Sequence, residues 1–314
     1  MQPHKAKAPE WVYILFIIGI ASIAIRFLLD TRFGTTAILY VAIPFIISFL
    51  IFQFTPPGQK NSFARHMRTA TIVMLGSSAF LFEGFICVLF FYPIYIIIVG
   101  LSYAIATSGR ASKEKGENNS LKASIVPLIV MVMSVEGVAP STSFERQNAV
   151  TRAFIIDADV ATIQANMAAP IILPKKRNWM LSIFPLPIET RAGSLSVGDV
   201  HEMDFIYKRW FFTNVKRGKM ALRIDSVSNT QITTTLTENT SYLSTYINIK
   251  GSEINFMPLP DGRTHVSLTM NYERLLDPAW YFGTLQHYTV SQMCDYFVEA
   301  VYARGTDYEE VGPI

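Results

Sequence analysis

Apolar residues follow two different patterns along the chain. As far as Val138 they form long continuous runs, with charges confined to short connectors. From Ala139 onward charges recur every few residues, and apolar and polar positions alternate. The first pattern predicts a membrane all-α bundle of four to five transmembrane helices at 11–29, 37–54, 70–91, 93–108 and 123–138, since a crossing takes about 20 apolar residues. Lys5 and Lys7 precede the first run as they would in a signal peptide, but further apolar runs follow at once, so the segment reads as a retained helix. Pro93 divides the long third stretch, because proline suits the first turn of a helix and disrupts its interior. The last run is short. At about 1.5 Å per residue it barely reaches across about 30 Å of hydrocarbon, so it either crosses or lies at the interface.

The second pattern predicts an α+β domain. VTRAFII (150–156) reads as a strand, and Asp157 and Asp159 can start a helix over 160–167. Four prolines at 170, 174, 185 and 187 mark an irregular stretch. Strands are predicted at 200–212, 220–227, 231–239, 245–257 and 263–276, with a turn at NVKRGK and a hairpin at PLPDG. Alternation puts Thr264, Val266, Leu268, Met270 and Tyr272 on one face, and His265, Ser267, Thr269, Asn271 and Glu273 on the other. A long amphipathic helix closes the chain at 277–304, with Asp277 as its cap, Pro278 at its first position, and Trp280, Leu285, Tyr288, Met293, Tyr296 and Phe297 on its apolar face.

This order carries a resemblance. The strand and helix of VTRAFIIDADVATIQANM, the strand entry Gly198-Asp199-Val200, the hairpin at Asp261-Gly262 and the terminal helix resemble the polyketide-cyclase/START-like (SRPBCC) superfamily over about 145–304. The resemblance implies a helix-grip fold, an antiparallel sheet around a long C-terminal helix, with a hydrophobic cavity between them. It implies a hydrophobic ligand, and it carries over no catalytic residue. The chain is thus expected to comprise a transmembrane helical region, 1–138, and a START-like soluble domain, 139–314.

Composition and charge narrow the picture. The net charge of +3 comes from the first half, because 139–314 holds sixteen basic against eighteen acidic residues. A near-neutral second half argues against a nucleic-acid partner, which needs clustered basic residues. With five crossings, Lys5, Lys7, Lys60, Arg65, Arg68, Arg110, Lys113, Lys115 and Lys122 fall on one side, so the N-terminus is expected in the cytoplasm of a plasma-membrane protein. The domain then lies outside the cytoplasm if 123–138 crosses, as its continuous apolar character and Lys122 favour, and inside if it does not. Glu83, within an apolar run, reads either as a functional carboxyl or as one satisfied by packing against Ser77 or Ser78.

Phosphate-loop, dinucleotide, zinc-protease and nucleophile-elbow motifs are absent, and Cys87 and Cys294 have no ligand spacing, so no cofactor, metal or catalytic residue is assigned. The acid/base candidates are His201, Asp204, Tyr207, Glu238, Tyr246, His265 and Glu273, which would have to converge in one dry pocket. Tyr207, Trp210, Phe211 and Phe212 either line a cavity or rest on a bilayer; Lys175, Lys176 and Arg177 with Trp179 read the same way, or as a solvated loop. The expected ligand-binding residues are Tyr207, Phe211, Met220, Leu222, Tyr246, Met270, Tyr272 and Trp280. The expected function is membrane-tethered binding or transfer of a hydrophobic ligand, a lipid being the leading candidate. The alternatives are a cyclase- or hydrolase-type enzyme, and a non-catalytic sensor or assembly subunit.

Overall fold

The computed structural model describes residues 35–54, 63–65, 67, 68, 71, 85–114, 129, 130, 132–174, 177–210 and 213–311. The chain divides into two compact units, 1–73 with 91–143, and 74–90 with 144–314.

In the first unit a π turn, Ile38–Ala42, runs into helix α1, Ile43–Phe54, and helix α2, Phe85–Glu114, contributes its residues from Phe91 onward. Phe52 and Val99 are buried, and the Phe52 ring meets Tyr103 edge-on at 5.1 Å. Among the described residues no helix is long and apolar enough to cross a membrane. That finding overturns the expected transmembrane bundle, and with it the plasma-membrane localisation and the charge-based orientation, which had crossings to act on. The five-residue π turn and twelve-residue α1 together fall short of the ~20 residues a crossing requires. The break expected at Pro93 is absent, since α2 continues through it, and its end is polar, TSGRASKE. The span expected at 11–29 lies outside the described residues, as do Glu83 and most of 70–91. Of the run 123–138, the described part holds a few helical residues and then turns.

The second unit is built on an antiparallel sheet of nine strands among the described residues: β1 Gln147–Ile156, β2 Ile171–Ile172, β3 Leu186–Arg191, β4 Val200–Trp210, β5 Thr213–Val227, β6 Gln231–Asn239, β7 Ile247–Pro258, β8 Thr264–Arg274 and β9 Tyr308–Val311. Their order is β2-β3-β4-β5-β6-β7-β8-β1-β9. The run NVKRGK, expected as a turn, lies inside β5, which stays paired with β4 as far as Trp210↔Thr213. Its polar residues are tolerated because one face of an antiparallel sheet can meet water. The irregular stretch contains the edge strands β2 and β3, where Pro187 costs little and the β3–β4 register shifts at a bulge.

Helix α3, Val160–Ala168, starts where Asp159 accepts a 2.8 Å hydrogen bond from the Thr162 amide. Helix α4, Ala279–Phe297, ends in a π turn, Val298–Tyr302, and packs against β1 and β8. The helix-grip part of the expected fold is therefore present. The expected apolar face of α4 is met in part: Tyr296 is buried and Met293 and Phe297 pack against the core, but the other buried residues are Phe282, Gln286, Thr289, Val290 and Cys294, whereas Trp280 and Tyr288 are 43% and 45% exposed. The buried set follows the four- and seven-residue spacing of one helix face, and large aromatics outside that spacing stay at the surface.

Asp277 does not cap α4. It is fully buried, and its carboxylate accepts from Arg274 Nη1 and Arg146 Nη2. Arg146 Nη1 also donates to the Arg274 carbonyl at 3.0 Å, so the start of the domain is tied to the β8–α4 corner.

Candidate functional site

The strand alternation read from sequence decides what faces the helix. On β4, Met203, Phe205 and Tyr207 are buried, while Glu202 and Asp204 sit on the other face among Arg191 and Lys219. On β8, Val266, Leu268, Met270 and Tyr272 are buried. Between this inner face and the C-terminal end of α4 lies a cavity of about 120 Å³. Its floor comes from β5 to β8, including Leu222, Ile232, Ile254 and Leu268, and Phe297 and Val301 close it from the helix side.

Two features shape the floor. Gly251 sits where the β7–β8 register shifts, and a Cβ there would lie 2.0 Å from the Thr234 carbonyl oxygen, so only glycine lets β6 and β7 approach this closely. The Thr234 and Ser252 hydroxyls satisfy each other at 2.8 Å, which lets two polar side chains line an apolar space at little cost. Tyr302 also lines the cavity, and burial pushes its phenol upward, with Cys294 adding to the shift. Burial likewise pushes the Cys294 thiol up to about 12.

The expected ligand-binding residues divide into groups. Leu222 and Met270 line the cavity. Met220 and Tyr272 are buried in the surrounding core. Tyr207 and Tyr246 meet at a separate aromatic cluster, where Tyr207 stacks on Tyr242 at 4.5 Å and the Tyr242 and Tyr246 hydroxyls lie 2.8 Å apart. Trp280 stands half-exposed at the start of α4, and Phe211 lies outside the described residues. Gly283, beside that end of the helix, faces the Arg274 side chain, whose Cδ would be 3.8 Å from an added Cβ.

The acid/base candidates do not converge. Asp204 pairs with Arg191, Glu238 with Lys219 at 2.9 Å and Glu273 with Lys250 at 2.7 Å. His265 is buried on the outer face, in register with Ile155 and Met257. His201 alone of these seven lines the cavity, and its signal in the sequence was its shared parity with Met203 and Phe205. Phe297, expected on the apolar face of the terminal helix, lines it too, as do Met167, Val301 and Tyr302, which come from helix ends and which no local pattern marks out. Among the described residues no cluster of His, Cys, Asp and Glu could hold a metal ion.

No family model and no curated protein matches the chain. Similar solved structures include a START superfamily protein from Mycobacterium smegmatis, 13% identical, covering 48% of this chain and 93% of that one with a TM-score of 0.29. A major latex-like protein from Panax ginseng is 14% identical, covering 48% of this chain and 98% of that one with a TM-score of 0.27. A protein from Chromobacterium violaceum is 15% identical, covering 48% of this chain and 94% of that one with a TM-score of 0.31. The grip itself is defined by the strand order and helix packing described above.

Proposed function

We propose that the domain, taken as residues 139–314, binds a hydrophobic small molecule in the cavity between the sheet and α4. The observation that carries this reading is the hollow itself: about 120 Å³ remains between the sheet and the helix, partly open to solvent and lined mainly by aliphatic side chains. Ligand sites are concave and mostly apolar with a few polar groups, and this lining has that character. An apolar cavity of about 150 Å³ stays dry and takes benzene, so this one suits a single ring or a short alkyl stretch. A lipid is the larger variant of the same reading, and would require the helix to move off the sheet. Membrane tethering is no part of the proposal. The cavity also speaks for ligand binding over an assembly role, for which the space would be filled by the protein's own side chains. The enzyme alternative lacks a converging polar pair.

The test is thermal unfolding of the full chain with toluene. A ligand bound only by the folded state at 100 times its Kd stabilises by about 2.7 kcal/mol. Ala192 lines the cavity and is buried, so Ala192→Phe should fill it and remove the toluene effect while the protein stays folded. If toluene leaves the melting temperature of the wild-type chain unchanged, the reading fails.

A further inference from the structure

Charge is unevenly spread over the second unit. From Phe205 to Ile224 the sequence holds six basic residues, Lys208, Arg209, Lys216, Arg217, Lys219 and Arg223, and no acidic one. This stretch is the β4–β5 hairpin. Its strands outrun their neighbours: β3 stays beside β4 only as far as Ile206, and β6 joins β5 only from Met220. From Tyr207↔Lys216 to Trp210↔Thr213 the two strands pair with each other alone among the described strands. Four residues at about 3.3 Å each carry this ribbon about 13 Å past the last pair with β3. Val215, Lys216 and Arg217 are exposed there. Lys219 and Arg223 are paired with Glu238 and Asp225, both at 2.9 Å. Lys216 and Arg217 form no ion pair among the described residues. The Lys216 ammonium lies 5.2 Å from the centre of the Tyr242 ring, and Glu189 and Asp204, which border the same recess as Arg217, are paired with Arg191.

We propose that the end of the β4–β5 hairpin docks on the surface of an anionic lipid bilayer, without crossing it, through the cations of its two strands. The contact is independent of the cavity, since none of the ribbon's described residues lines that space. Charge complementarity selects the partner's sign: two exposed cations without counter-ions stand on β5, and Lys208 and Arg209 lie on the facing strand. Each Lys or Arg held near an anionic leaflet strengthens binding about fivefold. The sequence between the basic pairs selects lipid over other polyanions. It contains Trp210-Phe211-Phe212, and aromatic side chains are favoured at the boundary between headgroups and hydrocarbon. A nucleic acid would need a wider basic surface, and 139–314 as a whole is near neutral.

The experiment is co-sedimentation of the full chain with vesicles of phosphatidylcholine alone and with roughly one-third phosphatidylserine. The double variant Lys216→Gln/Arg217→Gln should bind the anionic vesicles about thirtyfold more weakly than the wild type, about fivefold per cation, and the neutral vesicles equally well. Lys250→Gln/Arg304→Gln makes the same change in net charge elsewhere on the second unit and should change anionic binding by less than about threefold, because screening confines the attraction to charges near the surface. Equal losses in the two double variants, or no loss in the first, overturn the proposal. So does hairpin-dependent binding of a single-stranded oligonucleotide without binding to the vesicles. Fluorescence quenching by lipids brominated near the headgroup should also be weaker in Trp210→Phe than in the wild type, and equal quenching overturns the placement of the hairpin at the bilayer.

Discussion

Replacing Asp277 by Asn should be among the most damaging single changes in the second unit. The carboxylate is fully buried and accepts from two guanidinium groups, one of them, that of Arg274, only 2% exposed. Asparagine keeps the shape and one acceptor oxygen, but presents an NH2 group to the other arginine, replacing an attraction with two opposed donors. Removing one partner of a buried ion pair costs about 3–5 kcal/mol, because desolvated charge is left behind. The retained oxygen puts the expected loss near the lower end, about 3 kcal/mol, or about 6–12 °C in melting temperature for a domain of 150–250 residues. Arg146→Met should cost less, since the Arg146 side chain is 26% exposed and water can partly replace it around the carboxylate. Urea unfolding of the full chain, followed by tryptophan fluorescence with Trp280 three residues from the change, measures both. A loss below about 1 kcal/mol for Asp277→Asn, or a larger loss for Arg146→Met, would refute the argument that this carboxylate holds the corner together.

Gly251→Ala should destabilise by about 2 kcal/mol or more in the same assay, because its Cβ would meet backbone at 2.0 Å and one strand has to shift. Lys250→Ala should cost less than about 1 kcal/mol at pH 7, since the pair with Glu273 lies at the surface, its lysine side chain 44% exposed. Its hydrogen bond is the chief cause holding the Glu273 carboxyl below its ordinary value, so the stabilisation is present above the unfolded pKa of about 4.3 and is lost as pH falls through the lower folded value. The gap between the stability curves of the two proteins should therefore narrow as the pH falls below the unfolded value, and a gap that stays constant down to full protonation of the carboxyl would sink the assignment. Cys294, with its thiol pushed up to about 12, should resist alkylation at pH 8 on the order of a hundredfold better than a free thiol, as peptide mapping by mass spectrometry can measure. Ready labelling of the folded chain would contradict its burial.

Local sequence determined much of the second unit. The alternation over 264–272 and 203–207 names the buried faces of β8 and β4, because a strand's side chains point to opposite sides regardless of what lies beyond. Asp159 marks the start of α3 by an interaction contained within four residues. The closing hairpin at 259–263 is likewise local, with the Leu259 amide bonded to the Arg263 carbonyl at 2.8 Å.

Tertiary structure decided the rest. Asp277 followed by Pro278 reads as a helix cap, but two arginines, one of them 131 residues away, claim the carboxylate instead. The sheet that α4 packs on, at β1 and β8, settles its buried face: Val290 and Cys294 join the core and Trp280 and Tyr288 stay outside, and residue size alone carries no such information. β9 is a strand because it pairs with the free edge of β1, an event invisible in its own four residues. Long apolar runs in the first half looked like membrane crossings by length and hydropathy, yet the described helices there are short, or polar at one end. The hollow itself belongs to this second category, although Leu222 and Met270 in its lining were named from sequence. Its residues come from six strands, three helical segments and the connector between β3 and β4, and whether their side chains meet or leave a hollow depends on how far the helix stands from the sheet, which no local stretch of sequence specifies.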